Sequence, residues 1–91
     1  MANWKQTLDI TDLMETFEQT EDALTFAKRA STRIALFIEH HQSWTDRSGI
    51  TDDLEQIAEG LQYADDTAEV DYLLADLYDL ADNSRIWVKT F

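Results

Sequence analysis

Residues 20–42 read TEDALTFAKRASTRIALFIEHHQ, and this stretch decides the fold. Within it Ala23, Ala27, Ala30, Ile34, Phe37 and His41 follow at intervals of 4, 3, 4, 3 and 4, the spacing of one face of an α-helix. Phe26 and Ile38 widen that face. Thr20 is placed to cap the helix, with Glu21 and Asp22 in its first turn, where carboxylates suit the helix dipole. The spacing predicts a helix over about 21 to 42.

On the N-terminal side, Trp4-Lys5-Gln6-Thr7-Leu8-Asp9-Ile10 alternates so that Trp4, Leu8 and Ile10 share one side, the period of a short half-buried strand. Thr11 or Asp12 then caps a short helix, Asp12 with Glu15 resembling a capping box, and Leu13, Met14 and Phe17 form its apolar side. On the C-terminal side, Ser43 to Ile50 holds Ser, Asp and Gly and reads as a connecting loop. Thr51 is the expected cap of a third helix with Leu54, Ile57, Ala58 and Leu61 at helical spacing. Asp65-Asp66-Thr67 makes a turn, Thr67 caps a fourth helix carrying Val70, Leu73, Leu74, Leu77 and Ala81 inward, and Asp82-Asn83-Ser84 stops it. The end, Arg85-Ile86-Trp87-Val88-Lys89-Thr90-Phe91, is β-branched and aromatic and alternates again. The expected architecture is mainly α: a single domain over 1–91, a compact bundle of three to four helices. A short antiparallel β-ribbon joins the N- and C-terminal segments and lies on the helices, because two strands alone are marginal in water.

Composition narrows the chemistry. Ninety-one residues, 44% apolar and 11% aromatic, are enough for one globular core. There is no Cys, which excludes disulfides, thiolate zinc sites and cysteine nucleophiles; no Pro and only Gly49 and Gly60, which excludes a Gly-rich phosphate loop. Residues 1–7 lack the charged flank and apolar stretch of a signal peptide, and the longest apolar run, Ile34 to Ile38, is far short of the roughly 20 residues of a membrane span. The expectation is a mature chain kept whole in the cytoplasm. Nineteen carboxylates against seven Lys plus Arg give a net charge of −12, which disfavours direct contact with nucleic acid or an anionic membrane.

The charge is segregated. Between Thr51 and Ser84 stand eleven carboxylates and no Lys, Arg or His; the other 57 residues hold eight acids and seven bases. Asp52, Glu55 and Glu59 form one ridge on the third helix. Asp65, Glu69, Tyr72, Asp76 and Asp79, spaced by 4, 3, 4 and 3, form another on the fourth. Both ridges lie roughly opposite the apolar faces and point to solvent or a partner. Carboxylates strung along two adjacent helices present charge much as phosphates line a groove, with Glu69 and Asp76 about 10 Å apart along the axis. These eight residues are the candidate partner-binding set, and the expected partner is a basic, nucleic-acid-binding protein. A solvated face that keeps the chain soluble is the plainer reading and stays open; a salt-loving host would spread acids over the whole surface.

Other constellations carry less. Glu39-His40-His41 places adjacent imidazoles about 100° apart on a helix, unsuited to one metal ion, and His41 belongs to the apolar stripe. Asp76, Asp79 and Asp82 lack the loop and turn glycine of a calcium hand. No cofactor or dedicated metal site is expected. No Ser lies in a nucleophile elbow and no carboxylate pair in an apolar setting, so an enzyme is not expected. Lys28, Arg29 and Arg33 form the one basic cluster, expected to pair with the acidic hairpin of the same or a second copy rather than to hold an anion. Trp4, Trp44 and Trp87 are expected in core and ribbon packing, and any that is exposed is a candidate interface anchor.

Trp4 to Ile10, Asp76-Leu77-Tyr78-Asp79 and Arg85 to Phe91, together with the acidic hairpin, resemble small acidic proteins encoded by phages and other mobile elements. That class includes DNA mimics and anti-CRISPR inhibitors, and the resemblance implies a non-enzymatic inhibitor that occupies the basic groove of a nucleic-acid-binding protein. Two alternatives remain: a structural or oligomerisation module, homodimeric through apolar surface, whose acidic face only solubilises it, and an immunity or antitoxin type that blocks a toxin.

Overall fold

The computed structural model describes residues 4–14 and 23–90. Their order is β1 (Gln6–Asp9), a helical turn at 11–14, α1 (Ala23–His40), α2 (Gln42–Ser48), α3 (Thr51–Gln62), α4 (Thr67–Asn83) and β2 (Ile86–Lys89). The proposed cap at Thr20–Asp22, together with Glu15 and Phe17, lies outside the described residues. The chain is mainly helical, as its spacing predicts. Its radius of gyration, 12.6 Å, matches the roughly 12 Å of a compact chain of this length.

The decisive stripe on α1 is the centre of the core: Ala27, Ala30, Ile34 and Phe37 are buried, with Phe26 and Ile38 beside them. Its small residues let α3 approach closely, and where the two helices meet the buried Ser31 hydroxyl donates to the carbonyl of Ala58. That bond removes the penalty a buried hydroxyl would otherwise carry. Leu54, Ile57, Ala58 and Leu61 of α3 and Val70, Leu77 and Ala81 of α4 complete the core. Leu73 and Leu74 pack at its edge.

The two terminal strands pair, but in parallel, with Gln6 opposite Ile86, Thr7 opposite Trp87, Leu8 opposite Val88 and Asp9 opposite Lys89. The antiparallel expectation is therefore corrected. Period-two alternation puts the same side chains on the same face whichever way the partner runs. Direction is set by where the intervening helices return the chain, and a crossover this long permits the parallel arrangement. The return is made by a tight turn after α4: the N–H of Ser84 donates to Leu80 C=O (3.0 Å), and Arg85 adopts φ +61° before β2 runs back against α4. Leu8, Ile10 and Ile86 are buried on the helix side of the ribbon. Trp4 shares their parity and is nonetheless 44% exposed, because the strand begins only at Gln6.

Several boundaries differ from the sequence expectation. Asp9 supports the start of the 11–14 turn, its Oδ1 accepting from the Thr11 N–H at 3.0 Å. Asp12 forms a two-pronged pair with Arg33 (2.9 and 3.2 Å), whose guanidinium also donates to Asp9 C=O at 2.8 Å. This ties β1 to α1. Residues 42–48 form the short helix α2 where a loop was expected: the wholly buried Thr45 anchors it, its hydroxyl donating to Gln42 C=O. Gly49, at φ +72°, ends α2 in the left-handed conformation that glycine adopts without strain. Thr51 does not cap α3; its hydroxyl lies 2.6 Å from Asp46 Oδ1 and 2.8 Å from Thr45 Oγ1, joining α2 to α3. The cap of α4 falls one residue earlier than expected, on Asp66.

Candidate functional site: the acidic face of α3 and α4

All eleven carboxylates between Thr51 and Ser84 are exposed, and none forms an ion pair with another described residue. Local energetics explain some of them. Asp52 and Asp53 occupy the first turn of α3, and Asp66 caps α4 by accepting from the Glu69 N–H at 2.8 Å. Glu69 also reaches back, its carboxylate accepting from the Asp65 N–H at 3.4 Å, one residue before the cap, so it helps to hold the entry to α4 without closing a reciprocal capping box. Acids at a helix N-terminus are favoured by about 0.3–1 kcal/mol each.

The second half of α4 obeys no such rule. Asp79 and Asp82 stand near its C-terminus, where the dipole disfavours anions, and the last turn holds no base. The like-charge pairs Asp76–Asp79 and Asp79–Asp82, three residues apart, oppose the helix by a few tenths of a kcal/mol each.

The structure sorts the expected site residues among three depressions. Asp76 lines a groove of about 360 Å³ between α3 and α4, whose floor is Ile57, Leu73 and Leu80 and whose opposite bank carries Asp53 and Gln56. Glu55 and Glu59 border a different groove, of about 250 Å³, between α1 and α3. Asp79 lines a third, near β2. The two ridges therefore do not face one groove together. Asp52 and Asp65 are exposed outside all three, Glu69 is partly engaged in the cap, and Tyr72 is 69% exposed on the same face.

Sequence spacing missed Asp53. Counting from Asp52 by threes and fours selects Glu55 and Glu59 and passes over it. Its own positions three and four residues on, Gln56 and Ile57, are the groove's other α3 members, and that was the available signal. Beneath the groove α3 and α4 are close: a β-carbon at Gly60 would stand 3.0 Å from both methyl groups of Leu73.

Within one copy the basic cluster does not pair with the hairpin: Arg33 pairs with Asp12, and among the described residues neither Lys28 nor Arg29 forms an ion pair with α3 or α4, although Lys28 borders a depression that Gln62 and Tyr63 also line. His41 sits at the core edge with its ring against Phe37, centroids 4.8 Å apart. Trp44 packs against the core, whereas Trp4 and Trp87 are exposed. No helix of the described residues is long and apolar enough to cross a membrane. Comparison with protein families, curated proteins and solved structures finds no match to this chain.

Proposed function

We propose that this chain is a non-enzymatic binding protein that docks its 51–84 hairpin onto the basic, nucleic-acid-binding surface of a protein partner and blocks it, offering carboxylates where phosphates would lie. The observation that carries the reading is the exposure of eleven carboxylates with no base among them and no ion pair to another described residue. Such a face steers a basic partner from beyond contact distance, within a screening length of about 8 Å at physiological salt. The groove between Asp53 and Asp76 adds short-range selectivity. Its apolar floor accepts the aliphatic stem of a Lys or Arg while the banks meet the charged head.

The test is retention of partners from a bacterial lysate on the immobilised protein, eluted with rising salt and with duplex DNA as competitor. The expected result is a nucleic-acid-binding protein released by both. A variant with Glu69, Asp76 and Asp79 changed to Lys should lose it while keeping the helical circular-dichroism signal. Unchanged retention by that variant overturns the face. A basic partner that resists the DNA competitor favours the immunity or antitoxin type, and recovery of the protein alone favours the oligomerisation module.

A further inference from the structure

At the far end of α4, Trp4, Tyr78 and Trp87 meet Asp79 and Asp82 around an open cavity of about 400 Å³ floored by Ala81, Ile86 and Val88. Three large aromatic side chains, each 39–44% exposed, converge there from three separate parts of the chain: the segment before β1, α4 and β2. Among the described residues the ribbon is already anchored by Leu8, Ile10 and Ile86, without help from these three rings. The two carboxylates are those that α4 holds against its own dipole.

We infer that this cavity receives one arginine side chain of a protein partner, the guanidinium lying against the aromatic walls and pairing with Asp79 and Asp82. The inference rests on the docking reading above and names its anchor. Aromatic faces attract cations, and a planar guanidinium both stacks on a ring and bonds a carboxylate with two parallel N–H groups, which an ammonium does not. The Lys89 ammonium stands 6.0 Å from the Trp87 ring centroid, the outer reach of such a contact, as expected of residues two apart on one side of a strand. The bases of the ribbon, Lys5, Arg85 and Lys89, do not line the cavity. The site is continuous with the acidic face, because Asp76 of the α3–α4 groove and Asp79 of the cavity are three residues, about 4.5 Å of helix rise, apart. A basic segment lying along α4 therefore meets the groove and the cavity in turn.

The test needs no partner. The full chain, ¹⁵N-labelled, is titrated at constant ionic strength with N-acetyl-arginine amide, and separately with the uncharged citrulline analogue, while the three indole N–H resonances are followed. The expected result is movement of Trp4 and Trp87 with the arginine probe, a still Trp44, and little response to citrulline. The double variant D79N/D82N should bind about tenfold more weakly, the loss of a charge-assisted pair, with its other amide signals in place. Still Trp4 and Trp87 resonances, an equal response to citrulline, or undiminished binding by D79N/D82N each overturn the assignment. The two failures are distinguishable: the lysate experiment is read through the salt dependence of a whole partner and through charge reversal at Glu69, Asp76 and Asp79, of which only Asp79 lines this cavity, whereas the titration is read through one charge and the Trp4 and Trp87 resonances.

Discussion

Replacing Asp66 separates two effects that act together at the start of α4. Its side chain satisfies the Glu69 N–H at 2.8 Å, and its charge sits at the positive end of the helix beside Asp65 and Glu69. Asp66→Ala removes both acceptor and charge. Loss of an N-cap costs about 1 kcal/mol, within a range of about 0.5–2. The charge itself nearly cancels: the dipole favours it by about 0.3–1 kcal/mol, and two like-charged neighbours oppose it by a few tenths each. Asp66→Asn keeps an acceptor oxygen and discards only the charge, so it should stay within about 0.5 kcal/mol of the parent. Thr67→Ala, at the residue the sequence nominates as the cap, should be similarly mild, because Thr67 is already the first helical residue.

Urea unfolding followed by circular dichroism measures all three. With a slope of about 1 kcal/mol per molar urea for a chain this small, Asp66→Ala should lower the midpoint by about 1 M. In a thermal scan the same change is a fall of about 4–8 °C. Repeating the series near 1 M NaCl, where screening acts within about 3 Å, removes the charge contribution and leaves the cap. The gap between Asp66→Ala and Asp66→Asn should therefore persist in high salt. Asp66→Asn as damaging as Asp66→Ala, or a gap that salt abolishes, would refute the capping account and make the first turn of α4 an electrostatic feature. The outcome bears on function, since a frayed first turn would free Glu69 and Tyr72 from their present place on the acidic face.

Two further outcomes follow from the packing and the carboxylates. Gly60→Ala brings a β-carbon to 3.0 Å from the Leu73 methyls, but Leu73 borders the α3–α4 groove and can yield into it. The helix propensity gained, about 1 kcal/mol, should then offset the crowding, whereas Gly60→Leu should overpack and cost about 1–3 kcal/mol in urea unfolding. Asp9 and Asp12 are held below the ordinary carboxylate range, Asp9 chiefly by the Thr11 N–H and Asp12 by the Arg33 guanidinium. A depressed carboxyl stabilises fully above its unfolded value, near 3.8, and loses that contribution as pH falls through its folded value. Between about pH 6 and about pH 3 the parent's urea midpoint should therefore fall further than that of Asp12→Asn, and equal falls would show that the Arg33 pair adds nothing.

What the sequence disclosed is what depends on a single helix. The stripe from Ala27 to Phe37 and the inward sets of α3 and α4 follow from 3.6-residue spacing alone, and they are buried as that spacing requires except for Leu73 and Leu74, which are only partly covered at the core edge. What it withheld depends on neighbours. The hydroxyl of Thr51 looks like a cap until Asp46 and Thr45 are found beside it, and residues 42–48 look like a loop until Thr45 is seen sealed in the core. Strand direction is invisible to alternation. The acidic ridges were legible as ridges, but which groove each one borders depends on how α3 and α4 are turned about their axes. That is why Asp53 joins Asp76 while Glu55 and Glu59 face α1.

The same distinction weighs the two readings of the charge. A solubilising face needs only exposed carboxylates, and a helix supplies them most cheaply at its N-terminus, where Asp52, Asp53, Asp66 and Glu69 stand and support their helices. Those four residues fit either reading. Asp76, Asp79 and Asp82 belong to the other half of α4, where they oppose one another and Asp79 and Asp82 also stand toward the disfavoured end of the dipole, and Asp76 and Asp79 border different depressions with apolar or aromatic linings. Solubility gives no reason to place charge there, beside Leu73 or Trp87, when surface positions without that penalty lie nearby. A cationic partner does, because the desolvated contact of a Lys or Arg stem and head is worth most where carboxylate and apolar surface adjoin. Substitutions in the second half of α4 therefore discriminate between the readings where substitutions in the first turns do not.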